Sequence, residues 1–217
     1  MNLADVQELF YGSDIYVIGS GKSLDYYEPA FFKDKLTIGV NFGWSLKLDR
    51  VDYMVTKYHA HARDWVESDR VGTMVVTRGE RGHHDLEAIS DDRMLVVDHN
   101  HNTVEKWNGE WPENGLVATH SSITMAMHLA AVLGASTIVM VGADCGVLDG
   151  EPNLGDYNKE RRSNQFAMFE SFDKQNQKVA NIIREKYGAS VISLSPFVTP
   201  NMEGHKFVSY AGALNAS

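Results

Sequence analysis

Short runs rich in β-branched residues, separated by stretches long enough to hold helices, predict an α/β chain built on a mostly parallel sheet flanked by helices. The runs fall at 15–20, Leu36–Val40, Tyr53–Thr56, 74–77, 94–97, Thr137–Val141 and 191–194. A glycine turn, Gly19-Ser20-Gly21-Lys22-Ser23-Leu24, follows the first run directly and adds the expectation of a Rossmann-like arrangement. No Pro/Ser-rich linker, internal repeat or low-complexity segment divides the 217 residues, so 1–217 is read as a single domain.

The first run is a buried strand breaking into a loop. The second ends at Asn41 and the third near Lys57, which sets both residues at the carboxyl edge of a parallel sheet. Two helices are legible. Ile123, Met127, Ala130 and Val132/Leu133 recur at helical spacing after Ser121-Ser122, and Gly134 supplies a left-handed stop. Phe169, Phe172, Asn176, Val179, Ile182/Ile183 and Lys186 trace a second helical face; Arg184 and Lys186 complement its negative end and Gly188 closes it. Two stretches resist the pattern. Residues 98–118 are polar around Trp107, Trp111 and Pro112, with His99-Asn100-His101-Asn102 read as a loop just past a strand end. Residues 145–164 are rich in Gly, Asn and charge and end in Glu160-Arg161-Arg162; 145–165 is read as a lid over a site, the plainer reading being a solvated loop.

Composition narrows the function classes. Hydrophobic residues at 43% and charged residues at 23% exclude disordered, collagen-like and disulfide-stapled chains. A net charge of −9 offers no general attraction to nucleic acid or anionic lipid, although a local basic groove stays open. One cysteine, Cys145, cannot close an intramolecular disulfide, and no basic start leads into an apolar signal segment, so a cytoplasmic setting is expected. The longest apolar stretches, 129–132 and 138–141, fall far short of the ~18–20 residues of a membrane helix, so no membrane insertion is expected.

The glycine turn is placed to hold a phosphate through backbone N–H groups, through Lys22 and through the positive end of the following helix. The P-loop pattern fails at Tyr16 and the dinucleotide fingerprint fails at Leu24, each where glycine or a small residue is required. A glycine turn after a first strand also has purely steric explanations. Asn41 can both donate to and accept from a nucleoside, or cap a short helix. Asp144, in Gly142-Ala143-Asp144 after the 137–141 run, could orient a ribose or acceptor, bind a metal or cap a turn. Thr119-His120-Ser121-Ser122 opens a helix and suits an anion or base, while N-capping explains Ser121 or Ser122 equally well. The nine histidines show no H-E-x-x-H or Cys/His zinc spacing, and no metal is expected. His59, just beyond the third strand, is the leading candidate acid or base.

These residues resemble a known group. Gly19-Ser20-Gly21-Lys22-Ser23-Leu24 is similar to the G-x-G-x-S-L turn of the bacterial sialyltransferases of glycosyltransferase family 42 and of the pterin diphosphokinase-like family, which includes the motility accessory factors. Ser121-Ser122, Gly134 and Gly142-Ala143-Asp144 follow in the order of the sialyltransferase T-S, L-G and G-[IV]-D elements, and Asn41 falls where those enzymes place an asparagine; the likeness spans roughly 15–195. It implies nucleotide contacts for Gly19, Gly21, Ser23, Asn41, Ser121 and Ser122. Residues 145–180, where those enzymes carry their histidine base, contain Tyr157 but no histidine, so either another residue such as His59, His120 or His205 acts as base or the reaction differs. Val51-Asp52-Tyr53-Met54-Val55-Thr56-Lys57 resembles the P-D-Y-x-V strand of the diphosphokinase-like branch with Lys57 in place of its acid, which argues against carboxylate-held magnesium.

The expectation is therefore a bacterial or phage glycosyltransferase that moves a sugar from a nucleotide-sugar donor, CMP-type by resemblance, to a glycan, protein or modified nucleobase without a required cofactor. Lys57, Arg161 or Arg162 would offset leaving-group charge. His59, then His205, with Asp144 behind them, are the catalytic candidates. The alternatives are a pterin diphosphokinase-like enzyme and a non-catalytic nucleotide-binding protein. Oligomerisation is left open.

Overall fold

The computed structural model describes residues 1–41, 44–78, 91–101, 107–109, 115–146 and 165–194. Along the chain run β1 (Asp14–Ile18), β2 (Leu36–Val40), β3 (Tyr53–Thr56), α1 (His59–Val66), β4 (Thr73–Arg78), β5 (Met94–His101), β6 (Gly115–Val117), α2 (Ser122–Val132), β7 (Thr137–Val141), α3 (Gln165–Tyr187) and β8 (Ser190–Ser193). The strands form an 8-stranded sheet of order β6-β5-β4-β3-β2-β1-β7-β8. Every pairing is parallel. The α/β, Rossmann-like expectation is met.

The order decides where a ligand can sit. The chain lays down β1 to β6 in one direction, then α2 carries it back to place β7 on the other side of β1. Ile18 consequently pairs with Gly39 on one flank and Val141 on the other. Strand order reverses between β1 and β7, and the loops leaving their carboxyl ends diverge around a crevice.

Alternation along each strand feeds two cores. Ile15, Val17, Ile38, Val40 and Val55 lie beneath α2 and α3. Ile18, Met54, Met74, Val76 and Val141 face the other way, onto Leu24, Phe32, Ala62 and Trp65. Helix α2 is buried on nearly every side, with Met125, Met127, Leu129 and Val132 fully enclosed; each such side chain contributes about 1.5–3 kcal/mol of apolar burial. Its carboxyl end is satisfied by the chain's own beginning. Glu8, Phe10 and Gly12 donate their N–H groups to the carbonyls of Val132, Leu133 and Gly134 at 2.9, 2.8 and 2.8 Å.

A buried histidine ties α2 to its neighbours. The Val117 N–H donates to His128 Nδ1 at 2.9 Å, so that nitrogen carries a lone pair, and Nε2 faces the Tyr187 hydroxyl at 2.9 Å. Trp107 packs on the His128 ring with centroids 4.7 Å apart. Burial pushes the Tyr187 phenol well above its ordinary value.

Two expectations are corrected. The His99-Asn100-His101 segment is strand, since β5 continues to His101, and part of the supposed 98–118 loop is the edge strand β6. Pairing with β4 at Arg78 and with β6 at Leu116 satisfies this polar backbone, so no apolar pattern was needed to make it a strand. The glycine turn leads not into an α-helix but into a five-residue 3-10 turn, Lys22–Tyr26, too short to present much of a dipole. Among the described residues, no helix is long and apolar enough to cross a membrane.

Candidate functional site

Where strand order reverses, the two loops are clasped together. The Gly19 N–H donates to the Val141 carbonyl and the Gly21 N–H to the Gly142 carbonyl, both at 2.8 Å. Ser23 donates its N–H to Asp144 Oδ2 at 2.7 Å and its hydroxyl to Oδ1 at 2.5 Å. Glycine is required by this closeness. A Cβ at Gly21 would overlap the Asp144 carboxylate and lie 2.8 Å from the Gly142 carbonyl, and one at Gly19 would overlap that same carbonyl. Gly142, at φ +67°, has no room for a side chain against Leu24. The donors expected to cradle a phosphate at Gly19, Gly21 and Ser23 thus point at protein acceptors, and the anion beside Ser23 is the buried Asp144 carboxylate. Lys22 pairs with Asp25 at 2.6 Å.

Asp144 also acts on Tyr27. Burial first, and the Asp144 charge second, raise the Tyr27 phenol above its ordinary value, and its hydroxyl donates to the Leu194 carbonyl at 2.8 Å. Behind this loop, fully buried Asn176 of α3 donates from Nδ2 to Cys145 Sγ at 3.5 Å. The sequence marked Asn176 only as part of a helical face.

A second cluster lies at the ends of β2 and β3. Asn41 sits at φ +55°, a conformation that its short amide side chain tolerates. Its N–H donates to the Val55 carbonyl at 2.9 Å, and its Oδ1 accepts the Thr56 hydroxyl at 3.1 Å. The same hydroxyl oxygen accepts the Tyr58 N–H at 3.1 Å and stands 3.2 Å from His61 Nδ1. The next residue, Lys57, is buried and donates from Nζ to the Thr119 carbonyl at 2.5 Å, which fastens the end of β3 to the start of α2.

The start of α2 is a network of hydroxyls. Ser121 is the N-cap, its Oγ accepting the Ile123 N–H at 3.3 Å, and Thr124 Oγ1 donates to the Ser121 carbonyl at 2.8 Å. Thr119 Oγ1 accepts the Ser121 N–H at 3.2 Å. Ser122 is the first helical residue and is buried. The Ile123 side chain reaches to within 3.2 Å of where a Gly19 Cβ would stand, so α2 begins over β1 and joins the two clusters along one edge.

The histidines divide unexpectedly. His59 opens α1 but is packed inward, its Nε2 3.2 Å from the Thr77 carbonyl at the end of β4. A carbonyl only accepts, so this nitrogen carries the proton. β4 lies two strands from β2, about 10 Å away from Asn41. His61, to which the sequence assigned no role, is the histidine that meets Asn41 through Thr56. A signal existed: His59, Ala62 and Trp65 are the buried positions of α1, and at 100° per residue position 61 falls at the margin of that face, one turn before Trp65. Burial lowers the His61 pKa from its ordinary 6.5, with Asp64 pulling the other way.

His205, Arg161 and Arg162 lie outside the described residues, as does 147–164 of the segment read as a lid. Among the described residues no group of three or more His, Cys, Asp or Glu is placed to hold a metal ion.

No family model matches the sequence, and no curated protein matches it. Among solved structures, a MAf glycosyltransferase from Magnetospirillum magneticum AMB-1 is similar in fold, with a TM-score of 0.52 and 12% identity. The match covers 94% of this chain and 36% of that one, so the chain spans about a third of the length of the protein it resembles. The likeness shows the shared Rossmann-like fold.

Proposed function

We propose that this chain is a glycosyltransferase domain that moves a sugar from a nucleotide-sugar donor to a glycan, protein or modified nucleobase acceptor. The observation that carries the reading is one continuous edge. Asn41, Thr56, Lys57, His61 and residues 119–122 gather at the carboxyl ends of β1, β2 and β3, beside the point where strand order reverses. The likeness to a MAf glycosyltransferase supports the same reading.

In this reading Asn41 and the hydroxyl-rich start of α2, Ser121 and Ser122, meet the nucleoside. Lys22, Lys57 and the α2 N-terminus supply positive charge to the donor phosphate, while the 19–23 turn forms the wall against which it rests, its Gly19, Gly21 and Ser23 N–H groups being committed to the β7 loop. Asp144 serves as the anchor of that wall. The transfer is proposed to run without a divalent ion. A second reading, a nucleotide-binding protein without turnover, is favoured by one feature: both oxygens of Asp144 are held by Ser23.

A thermal-shift screen with cytidine, uridine, guanosine and adenosine nucleotides tests the binding step, because a ligand that binds only the folded state raises the melting temperature. Transfer from the corresponding sugar nucleotides, with and without EDTA, tests the reaction. Binding with no transfer selects the second reading. Transfer abolished by EDTA and restored by magnesium selects a diphosphokinase-like use of metal. No binding to any nucleotide overturns the proposal.

A further inference from the structure

The proton inventory of one hydroxyl fixes the state of a histidine. Thr56 Oγ1 has one hydrogen and two lone pairs. Its hydrogen goes to Asn41 Oδ1 at 3.1 Å. One lone pair takes the Tyr58 N–H at 3.1 Å. What remains for His61 Nδ1, 3.2 Å away, is the second lone pair, so Nδ1 must be the donor and carry the ring proton. The lone pair of the neutral imidazole is then on Nε2, the far side of the ring from Thr56.

We propose that His61 is the proton acceptor of this edge, and that Thr56, itself oriented by Asn41, is the positioning residue that holds it as the Nδ1–H tautomer. The proposal rests on the glycosyltransferase reading and names the base that reading needs.

Three further observations support it. His59 is buried against Thr77 of β4, with its Nε2 committed to that carbonyl. The Tyr58 ring meets the His61 ring edge-on at 5.2 Å between centroids and limits its rotation. Burial lowers the His61 pKa, which keeps the ring neutral and ready to accept at neutral pH. The unusual φ of +55° at Asn41 also gains a purpose, since it turns the amide of the residue leaving β2 onto Thr56.

The step balances without any other reagent. The acceptor O–H bond breaks as its proton passes to His61 Nε2, and the oxygen forms a bond to the anomeric carbon. The bond from that carbon to the donor phosphate breaks, its electron pair leaving with the phosphate oxygen. The resulting imidazolium still donates from Nδ1 to Thr56, so the same hydrogen bond serves both states.

The test uses the full chain with isotopically labelled histidine. Two-bond proton–nitrogen correlations distinguish the tautomers, and His61→Gln identifies the signal by its loss. The expected result is an Nδ1–H imidazole at His61, a mixture of tautomers in Thr56→Val, and recovery in Thr56→Ser. In parallel, His61→Gln is expected to lower sugar transfer by about 10²–10⁴-fold with nucleotide affinity unchanged. An Nε2–H tautomer in the wild type, a tautomer indifferent to Thr56→Val, or full transfer by His61→Gln overturns the proposal. A wild-type protein that transfers no sugar sinks the glycosyltransferase reading instead; the tautomer spectrum then decides by itself whether His61 is held as a proton acceptor.

Discussion

Ser23 and Asp144, 121 residues apart in sequence, are joined twice, the main-chain N–H and the hydroxyl of one meeting the two carboxylate oxygens of the other at 2.7 and 2.5 Å. The pair locks the loop after β1 to the loop after β7 where strand order reverses. It gives the glycine turn a steric purpose: two backbones and a carboxylate must pass within contact of Gly19 and Gly21.

Gly21→Ala is therefore expected to destabilise the fold, since its Cβ overlaps a carboxylate that is buried and held at both oxygens by Ser23. Overpacking of this kind costs about 1–3 kcal/mol. For a chain of 217 residues this corresponds to a fall in Tm of about 2–4 °C per kcal/mol. Thermal unfolding without any ligand checks it, and an unchanged Tm would return the glycine to a ligand-binding explanation.

Asp144→Ala should cost more than Ser23→Ala. The first orphans both the N–H and the hydroxyl of a fully buried residue, each worth about 1–3 kcal/mol, while the second removes a single hydrogen bond to a carboxylate, about 1.5–3 kcal/mol. In a double-mutant cycle from urea unfolding the two losses should be strongly non-additive; additive losses would mean that the clasp is not a unit.

The lowered pKa of His61 makes stability depend on pH with a definite sign. Below its ordinary value of 6.5 the unfolded chain binds a proton that the folded chain resists, so stability falls as the pH drops through that value toward the lower folded one. Asp64 opposes the effect but ranks behind burial. Urea unfolding between about pH 7.5 and pH 5.5 should show a shallower loss in His61→Gln than in the wild type. Equal slopes would refute the assignment.

His128→Leu keeps roughly the volume of the side chain but leaves the Val117 N–H without its acceptor and the Tyr187 hydroxyl without the ring it faces. The expected loss is about 1–3 kcal/mol, against about 1 kcal/mol for Tyr187→Phe, which removes the second contact alone. Comparable losses from the two variants would show that the Val117 bond contributes little.

Lys57→Met should loosen the start of α2, because the buried ammonium that holds the Thr119 carbonyl is gone. Hydrogen exchange at Thr119 and Ser121 should rise, and nucleotide affinity should fall more than overall stability does. A variant that binds nucleotide as the wild type does would remove Lys57 from the site.

Local chemistry wrote much of the fold into the sequence. β2, β3 and β7 occupy the same residues as the runs Leu36–Val40, Tyr53–Thr56 and Thr137–Val141, because a parallel strand buried on both faces is a nearly unbroken apolar stretch. Gly134 and Gly188 close α2 and α3 at φ +89° and +71°, values that a glycine advertises from sequence. Strand β6, three residues long, and the polar end of β5 carry no such pattern, since the neighbouring strand makes them strands rather than their own side chains. The site follows the same division. Position along the chain placed Gly19, Asn41, Lys57, Ser121 and Asp144 at one edge of the sheet. Which polar atom each one faces was decided by partners 15 to 121 residues away, as in Asn41 with Thr56, Lys57 with Thr119 and Ser23 with Asp144. Hydrogen bonds are satisfied by whatever the fold brings within about 3 Å, a distance that has no counterpart in sequence spacing. For that reason His61 rather than His59 meets Asn41 only once β2 and β3 lie side by side.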